Sequence, residues 1–338
     1  MRGPRCVVTG GAGFIGSHLV ERLLTEGRDV LVVDDFSTGR QANLEEAARA
    51  GGSLELAEAS VTDERIHELL RPGDHVFHLA ALADIVPSIE RPLEYHRANV
   101  DGTVNVLEAA RQSGVARLVY TASSSCYGIP DAYPTREDAP PRPQYPYALT
   151  KWLGESIALH WGQVYGLPVV SLRLFNVYGP RARTSGSYGA VFGVFLAQKL
   201  AGKPFTVVGD GTQTRDFTFV TDVVDAFVRA AESEVAGEAI NVGSGIDSSV
   251  NRIVELLGPD AGVVHVPKRP GEPDCTLADN SKARRLLNWA PRVSLDEGVR
   301  IMLDHIDYWR EAPVWDEGSI DAATRTWFRY LSGAGAES

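Results

Sequence analysis

Apolar runs alternate with amphipathic stretches through the first half of the chain. The β-branched run RCVVTG precedes GAGFIGSHLVERLLTEG, in which apolar residues recur at helical spacing until Gly27 ends the helix. We expect further strands over DVLVVDD, HVFHLAA, RLVYTAS and PVVSLRLFN, and further helices over PLEYHRANVDGTVNVLEAARQSG and YALTKWLGESIALHWGQVYG. Strands that are apolar along their length are typical of a parallel sheet covered on both faces. The pattern therefore predicts a doubly wound, Rossmann-like α/β fold.

The regular alternation ends after Asn176. Short strands, a helix near AVFGVFLAQKLAG and irregular loops follow, which predicts a smaller α/β lobe. We divide the chain into a sheet domain of residues 1–175 and 216–244, a smaller lobe of residues 176–215 and 245–312, and a C-terminal surface extension of residues 313–338. The extension is charged and aromatic at once, which indicates a helix packed on the surface.

Composition narrows the class of protein. The 338 residues are 44% hydrophobic, as expected for a globular chain with a large core, and the net charge of −11 argues against nucleic acid as the main partner. The apolar runs are shorter than the roughly 20 residues of a membrane span, and we recognise no secretory leader. We therefore expect a cytoplasmic protein with no membrane partner. Three scattered cysteines are too few for a disulfide framework or a zinc cluster, so we predict no metal site.

A glycine-rich turn joins the first strand to the first helix. Gly11, Gly13 and Gly16 form G-x-G-x-x-G, and Gly10 begins the overlapping G-x-x-G-x-x-G. Without Cβ atoms the backbone can turn tightly and approach a pyrophosphate, which then lies at the helix N-terminus. The second strand ends in Asp34, 18 positions after Gly16, where a carboxylate can bind the adenosine ribose and repel a 2′-phosphate. The pattern predicts a dinucleotide site that takes NAD rather than NADP.

The stretch YPYALTK places a phenol and an amine at helical spacing. Tyr147 and Lys151 are four residues apart, so they share one face of the predicted helix. A phenol is a weak base at neutral pH, but a nearby ammonium and a positive nicotinamide ring both favour its anion. Tyr147 is therefore a candidate general base. The strand upstream ends in TASSSCYG, which supplies three consecutive hydroxyls, Ser123 to Ser125, and no carboxylic acid.

Together these features resemble the extended short-chain dehydrogenase/reductase family, and within it the nucleotide-sugar epimerases and dehydratases, with the best motif match to UDP-glucose 4-epimerases. The resemblance covers about residues 6–289. The matching motifs are TGGAGFIGSH, VVDDFSTG, HLAA, NVDGTVNVLEAA, SSSCYG, YALTK, RLFNVYGP, GDGTQTRDFTFVTDVV and RPGEPDCTLAD. The resemblance implies NAD as cofactor and a nucleotide-diphosphate sugar, expected to be a UDP-sugar, as substrate. It also implies a homodimer formed through the helices that start near Pro92 and Tyr147.

The resemblance further implies roles for individual residues. Tyr147 is the base, Lys151 orients it and binds the nicotinamide ribose, and Ser123 hydrogen-bonds the sugar hydroxyl. The residues implied in NAD binding are Gly10, Gly13, Phe14, Ile15, Gly16, Asp34, Asp35, Ser37, Thr38, Gly39, Ser60, Val61, Leu79, Ala80, Ala81, Asn99, Tyr147 and Lys151. At the adenine pocket the family usually has an Asp after the third strand, whereas this chain has Ser60.

Two arginines are the implied ligands of the diphosphate. Arg215 in TQTRDF and Arg269 in KRPGE match family positions, and a planar guanidinium can hold phosphate oxygens bidentately. Glu272 matches an acid that binds the nucleotide ribose, and the small Thr276 favours tolerance of an N-acetyl group. The full set of implied substrate residues is Ser123, Ser124, Ser125, Asn176, Gly189, Ala190, Val191, Phe205, Thr206, Val207, Arg215, Arg269 and Glu272.

The implied reaction is epimerisation at C4 of the sugar. Tyr147 removes the hydroxyl proton while the C4 hydride passes to NAD, and the 4-keto sugar turns about its diphosphate linkage before it is reduced on the opposite face. The alternative is a lyase, a dehydratase or a UDP-glucuronate decarboxylase, that begins with the same oxidation. A non-catalytic NAD-binding protein is disfavoured by the complete set of Ser123, Tyr147 and Lys151.

The hydroxyl stretch separates the two reaction classes. In the resembling 4,6-dehydratases it carries an Asp-Glu pair, and in UDP-glucuronate decarboxylases it carries a Glu two residues before its tyrosine. In this chain Ser124 and Ser125 occupy those positions, which favours the epimerase. Cys126 directly precedes Tyr127, so on a continued strand it would face away from the sugar.

Overall fold

The chain folds around one large sheet and two small ones. The computed structural model describes residues 3–49, 51–182 and 190–333. The strands are β1 (Cys6–Thr9), β2 (Asp29–Asp34), β3 (Ser53–Glu58), β4 (His75–His78), β5 (Arg117–Ser123), β6 (Val169–Leu174), β7 (Asn176–Tyr178), β8 (Phe205–Val208), β9 (Thr214–Phe219), β10 (Glu238–Val242), β11 (Asp247–Ser249) and β12 (Val263–Val266). The helices are α1 (Phe14–Thr25), α2 (Gln41–Ala47), α3 (Ile66–Leu69), α4 (Ile85–Glu90), α5 (Pro92–His96), α6 (Gly102–Ser113), α7 (Pro146–Tyr165), α8 (Val191–Leu200), α9 (Val220–Glu232), α10 (Val250–Leu257), α11 (Ser281–Leu287), α12 (Leu295–Asp304) and α13 (Glu317–Leu331). Among these described helices, none has both the length and the apolar character needed to cross a membrane.

The large sheet has seven parallel strands in the order β3–β2–β1–β4–β5–β6–β10. Apolar residues of α1 and α9 cover one face, and those of α6 and α7 cover the other. The predicted doubly wound, Rossmann-like fold is therefore confirmed. The strand order reverses between β1 and β4, and in such sheets the crevice at the carboxyl ends beside the reversal is where ligands bind.

The helix expected from Pro92 contains one wider turn. A π-helical turn, Arg97–Asp101, joins α5 to α6, and such turns often lie at functional sites. Asn99 is buried in this turn, and its Nδ2 donates hydrogen bonds to Leu82 O at 2.9 Å and to Thr150 Oγ1 at 3.0 Å. The side chain therefore ties the loop after β4 to helix α7.

The smaller lobe is built on two short sheets, β11–β9–β7 and β12–β8, with α8, α10 and α12 packed around them. The sequence division assigned residues 281–289 to this lobe. In the structure Ala283, Leu287 and Trp289 pack instead into the core beneath the large sheet. Trp289 Nε1 donates a hydrogen bond to Asp222 O at 2.8 Å, which attaches this segment to α9. The chain thus returns to the sheet domain within the predicted lobe range.

The C-terminal extension forms helix α13, as its composition indicates. A capping box starts the helix, because Asp316 Oδ1 accepts from Ser319 N and Ser319 Oγ accepts from Asp316 N, both at 2.8 Å. Its apolar face packs against α4, where Val86, Trp327 and Leu331 form one buried cluster. The extension therefore covers the loop region after β4.

A buried ion pair attaches α7 to the sheet. Arg173 Nη2 on β6 lies 2.6 Å from Glu155 Oε1 on α7, and the two side chains are 8% and 3% exposed. Ser171 Oγ donates to Glu155 Oε2 at 2.9 Å, and Arg173 Nη1 donates to Tyr127 OH at 2.7 Å. Both charges are therefore compensated inside the protein, which fixes the position of α7 over β5 and β6.

We predict that Glu155→Gln lowers the free energy of unfolding by about 3 kcal/mol, because it leaves the buried Arg173 guanidinium uncompensated. Urea denaturation followed by circular dichroism measures the change. Asp138→Asn is the matched control, since it removes one partner of the exposed Arg136–Asp138 pair and should cost less than about 1 kcal/mol. Equal losses in the two variants would contradict the prediction.

Candidate active site

A cavity of about 750 Å³ opens at the carboxyl ends of the parallel strands and extends into the smaller lobe. It is lined by most of the residues that the sequence singled out. From the predicted cofactor set these are Gly10, Gly13, Phe14, Ile15, Gly16, Asp34, Asp35, Ser37, Thr38, Ser60, Val61, Leu79, Ala80, Ala81 and Tyr147. From the predicted catalytic and substrate sets they are Ser123, Ser124, Ser125, Asn176, Ala190, Val191, Thr206, Arg215, Arg269 and Glu272. One continuous cavity therefore brings both predicted sites together.

The remaining predicted residues lie elsewhere. Gly189 falls outside the described residues. Phe205 and Val207 face the core of the smaller lobe, because side chains alternate along β8 and Thr206 takes the cavity side. Asn99 and Lys151 are buried behind the cavity wall, and Gly39 lies against Asp34. Asn99 contacts the lining residue Leu82, and Gly39 contacts the lining residue Asp34.

The glycine turn leaves room for a ligand at the start of α1. Gly10 has φ of +69°, and a Cβ there would lie 2.7 Å from Ala80 N. A Cβ at Gly16 would collide with Gly10 O, so α1 could not pack as closely against the turn. Gly13 caps the helix and lines the cavity, where the N-terminal N–H groups of α1 favour an anion. The turn therefore fits the pyrophosphate of a dinucleotide.

A fixed carboxylate stands at the end of β2. Asp34 Oδ2 accepts a hydrogen bond from Ala12 N and Oδ1 accepts one from Phe36 N, both at 2.9 Å. Burial raises the pKa of Asp34, and these two backbone donors oppose the rise. A Cβ at Gly39 would lie 2.8 Å from Asp34 Oδ1, so glycine there leaves space for the carboxylate. Asp34 is therefore held where it can meet the ribose hydroxyls of a nucleotide.

Two tyrosines and two serines form a hydroxyl network at the centre of the cavity. Ser123 Oγ and Ser125 Oγ share a hydrogen bond of 2.8 Å, and Ser123 Oγ also accepts from Ser125 N at 3.2 Å. Interaction with Ser123 lowers the pKa of Tyr147, and interaction with Ser125 lowers that of Tyr145. Burial raises the pKa of Tyr147, and the interaction with Ser123 opposes that rise. Tyr147 can therefore act as a base near neutral pH only where neighbouring groups lower its pKa.

Cys126 is packed away from the cavity, but for a different reason than strand alternation. β5 ends at Ser123, and Ser124–Tyr127 form a 3-10 turn, so the expected strand face does not exist at this position. Cys126 lies in an apolar cluster with Phe175 and Ala278. Burial raises the pKa of its thiol to about 12. The thiol is therefore held neutral within the core.

Lys151 lies one helical turn after Tyr147 on α7. Burial lowers the pKa of its ammonium group to about 7, and the charge of Glu155 opposes the shift. Its Nζ lies 4.6 Å from the centre of the Tyr120 ring, and Tyr120 OH donates to Lys151 O at 3.3 Å. The aromatic face favours the charged form of the amine beside the candidate base.

The far end of the cavity carries positive charge. Arg215 Nη2 on β9 lies 2.7 Å from Glu272 Oε1, and Arg269 Nη1 lies 3.9 Å from Glu272 Oε2. The shared carboxylate holds both guanidinium groups toward one place. Asn176 Oδ1 accepts from Thr276 Oγ1 at 2.8 Å, and both residues line the cavity. The arrangement suits a diphosphate whose attached group reaches toward Tyr147.

Among the lining residues that the sequence did not single out, Tyr145, Asp84 and Trp327 bear most directly on the site. Tyr145 stands two residues before Tyr147, and its place in the same YPY stretch was an available signal. Asp84, in the loop after β4, lines the cavity, and its charge contributes to the raised pKa of Tyr147. Trp327 reaches the cavity from α13. No local pattern marks the last two, because their elements meet the cavity only through tertiary packing.

The chain belongs to the NAD dependent epimerase/dehydratase family, whose model matches residues 6–243. Its similarity to UDP-glucose 4-epimerase of Mycolicibacterium smegmatis is 41% identity over 303 residues, 87% of this chain and 96% of the relative. A UDP-N-acetyl-alpha-D-glucosaminuronate decarboxylase of Bacillus cytotoxicus is 36% identical over 324 residues, 91% of this chain and 98% of the relative. A solved UDP-glucuronic acid 4-epimerase of Bacillus cereus, in complex with UDP-glucuronic acid and NAD, matches with a TM-score of 0.82 and 33% identity, covering 90% of this chain and 99% of that chain. The predicted family and the predicted cofactor are thus confirmed.

We predict that the protein binds NAD at least about tenfold more tightly than NADP, because the Asp34 carboxylate can accept hydrogen bonds from a ribose but repels a 2′-phosphate. Asp34→Ser should weaken NAD binding and strengthen NADP binding, as measured by titration calorimetry with each nucleotide. Asp35→Asn is the comparison variant, since Asp35 Oδ1 is occupied by Ser37 N and Oγ, and it should alter the ratio less. Equal affinities in the unmodified protein would refute this assignment.

Proposed function

We propose that this protein is an NAD-dependent 4-epimerase of a nucleotide-diphosphate sugar, with a UDP-hexose as substrate. The proposal rests on the turn Ser124–Tyr127 beside Tyr147. It presents the hydroxyls of Ser124 and Ser125 at the two positions where the resembling lyases carry carboxylic acids. The similar proteins named as UDP-glucose and UDP-glucuronic acid 4-epimerases support the same reaction.

Hydroxyl groups and one amine suffice for the proposed chemistry at C4. The Tyr147 phenolate takes the proton of the C4 hydroxyl, while Ser123 holds the hydroxyl oxygen through a hydrogen bond. Lys151 orients Tyr147, and its positive charge favours the phenolate. Oxidation of C4 and its later reduction is the chemistry that NAD supplies when bound.

Inversion requires the 4-keto sugar to present its other face while the nucleotide stays in place. Arg215 and Arg269 are the proposed anchors of the diphosphate, and Glu272 holds both guanidinium groups at one end of the cavity. The hydroxyl network lies at the centre, so the sugar can turn about its diphosphate linkage without release.

The second candidate function is a UDP-sugar decarboxylase. It is favoured by the Bacillus cytotoxicus relative and by Asp84, a carboxylate that lines the cavity near Tyr147. Decarboxylation requires a proton from solvent at the carbon that loses carbon dioxide. In the resembling lyases the acids lie in the stretch that corresponds to residues 123–125, whereas Asp84 belongs to the loop after β4. The epimerase therefore remains the proposal.

We also propose that the protein is a cytoplasmic homodimer. Leu93 on α5 and Leu149 on α7 are exposed, at 71% and 41%, on the two helices expected to pair. Free Cys6, Cys126 and Cys275 are consistent with a reducing compartment. Sedimentation at micromolar concentration tests the dimer, and a monomer would contradict it.

Turnover in heavy water tests the proposed reaction. We expect UDP-glucose, UDP-N-acetylglucosamine or UDP-glucuronate to yield its C4 epimer with no deuterium on carbon, because the C4 hydrogen moves to NAD and back without meeting solvent. Nuclear magnetic resonance identifies the product and the labelled positions. Deuterium at C3, C5 or C6, or release of carbon dioxide, would contradict the epimerase and favour the lyase.

We predict that Ser123→Ala lowers kcat roughly tenfold to a hundredfold, because a hydrogen bond to a charged group contributes roughly 1.5–3 kcal/mol. In the unmodified protein, the interaction with Ser123 lowers the pKa of Tyr147. The substitution therefore raises that pKa and moves the rising limb of the kcat–pH profile to higher pH. Cys126→Ala is the control, since the thiol lies outside the cavity lining, and it should keep most of the activity. An unshifted Ser123→Ala profile would contradict the assigned role.

A further inference from the structure

The C-terminal helix is attached to the same loops that form the cavity wall. Its apolar face packs on α4 through Val86, Trp327 and Leu331, and Thr326 Oγ1 donates to Glu90 Oε1 at 2.9 Å. The family model ends at residue 243 and does not cover this helix.

Trp327 is the residue of α13 that connects most closely to the candidate site. The side chain is buried and lines the cavity. Its indole Nε1 donates a hydrogen bond to Pro270 O at 2.7 Å, and the Arg269 guanidinium lies 5.4 Å from the centre of its ring. The centres of the Tyr145 and Trp327 rings lie 6.3 Å apart. One indole therefore contacts both the proposed diphosphate anchor and the edge of the hydroxyl network.

The loop that carries Arg269 depends on such contacts. It leaves β12 at Val266 and has no helix or strand before the isolated bridge between Thr214 and Cys275. A long flexible side chain on an irregular loop loses considerable conformational entropy when it is held for binding. The indole supplies a hydrogen bond to the loop backbone and an aromatic face to the guanidinium, which together restrict both.

We propose that Trp327 is a positioning residue for substrate binding, and that α13 acts through it to hold Arg269 toward the diphosphate. This inference rests on the proposed function, in which Arg269 binds that diphosphate. Trp327 lowers the cost of ordering the guanidinium before the ligand arrives. The C-terminal helix is therefore part of the substrate site rather than a surface appendage.

A double-mutant cycle on UDP binding tests the proposal. Trp327→Met keeps a long apolar side chain for packing but removes the aromatic face and the indole N–H, whereas Trp327→Ala would leave a cavity. We expect Trp327→Met to weaken UDP binding by roughly threefold to thirtyfold, and Trp327→Phe, which keeps an aromatic face, to weaken it less. Titration calorimetry gives the dissociation constants, and thermal unfolding confirms that each variant is folded.

The cycle is completed with Arg269→Ala, alone and combined with Trp327→Met. If Trp327 acts through Arg269, the double variant binds UDP as Arg269→Ala does, within about twofold. Tyr330→Ala is the matched control, since it removes an aromatic side chain from the exposed side of the same helix, and it should bind UDP normally.

The outcomes separate this inference from the proposed function. If Arg269→Ala weakens UDP binding but folded Trp327→Met does not, or if the two losses multiply, the positioning role is overturned and the proposed function stands. If the unmodified protein does not bind UDP, both fail. If Trp327→Met does not fold, Trp327→Phe replaces it in the cycle, and independent losses again overturn the role.

Discussion

The close packing of α7 against the parallel sheet is the constraint on which the site depends. A Cβ at Gly154 would collide with Tyr120 OH on β5, so only glycine lets the helix approach this closely. One residue later, the buried pair between Glu155 and Arg173 fixes the helix along its axis. Tyr147 begins the same helix and therefore meets Ser123 at the end of β5. The geometry of the proposed base follows from contacts two turns away from it.

The two ends of the cavity are built by different parts of the fold. The sheet domain supplies the glycine turn, Asp34 and the hydroxyl network, all at carboxyl ends of parallel strands. The smaller lobe supplies Arg215 and Arg269, which place positive charge in a chain of net charge −11. A ligand that spans the cavity thus meets the hydroxyl network at its centre and two guanidinium groups at its far end. The proposed reaction relies on this division, since in it the sugar turns while Arg215 and Arg269 hold the diphosphate.

Much of the cofactor half of the site could be predicted, because its signals are local. The glycine spacing, the apolar strand before it and Asp34 18 residues later all lie within one βαβ unit. Cys126 was predicted to face away from the sugar on a continued strand, and its side chain is indeed buried away from the cavity. The assumed strand is wrong, however, because a 3-10 turn follows Ser123. Periodicity indicates that a strand exists more reliably than it locates the strand's end, because the end depends on hydrogen-bond partners elsewhere.

The sequence by itself determined the fold class, the dinucleotide turn and the spacing of Tyr147 and Lys151, because each depends on backbone geometry over a few residues. Only the tertiary structure decided which distant groups meet them. Asn99 bonds Leu82 and Thr150 rather than lining the cavity, and Trp327 reaches Arg269 across 58 residues of sequence. Such contacts are selected by the burial of whole helix faces, and no short pattern records which face will meet which loop.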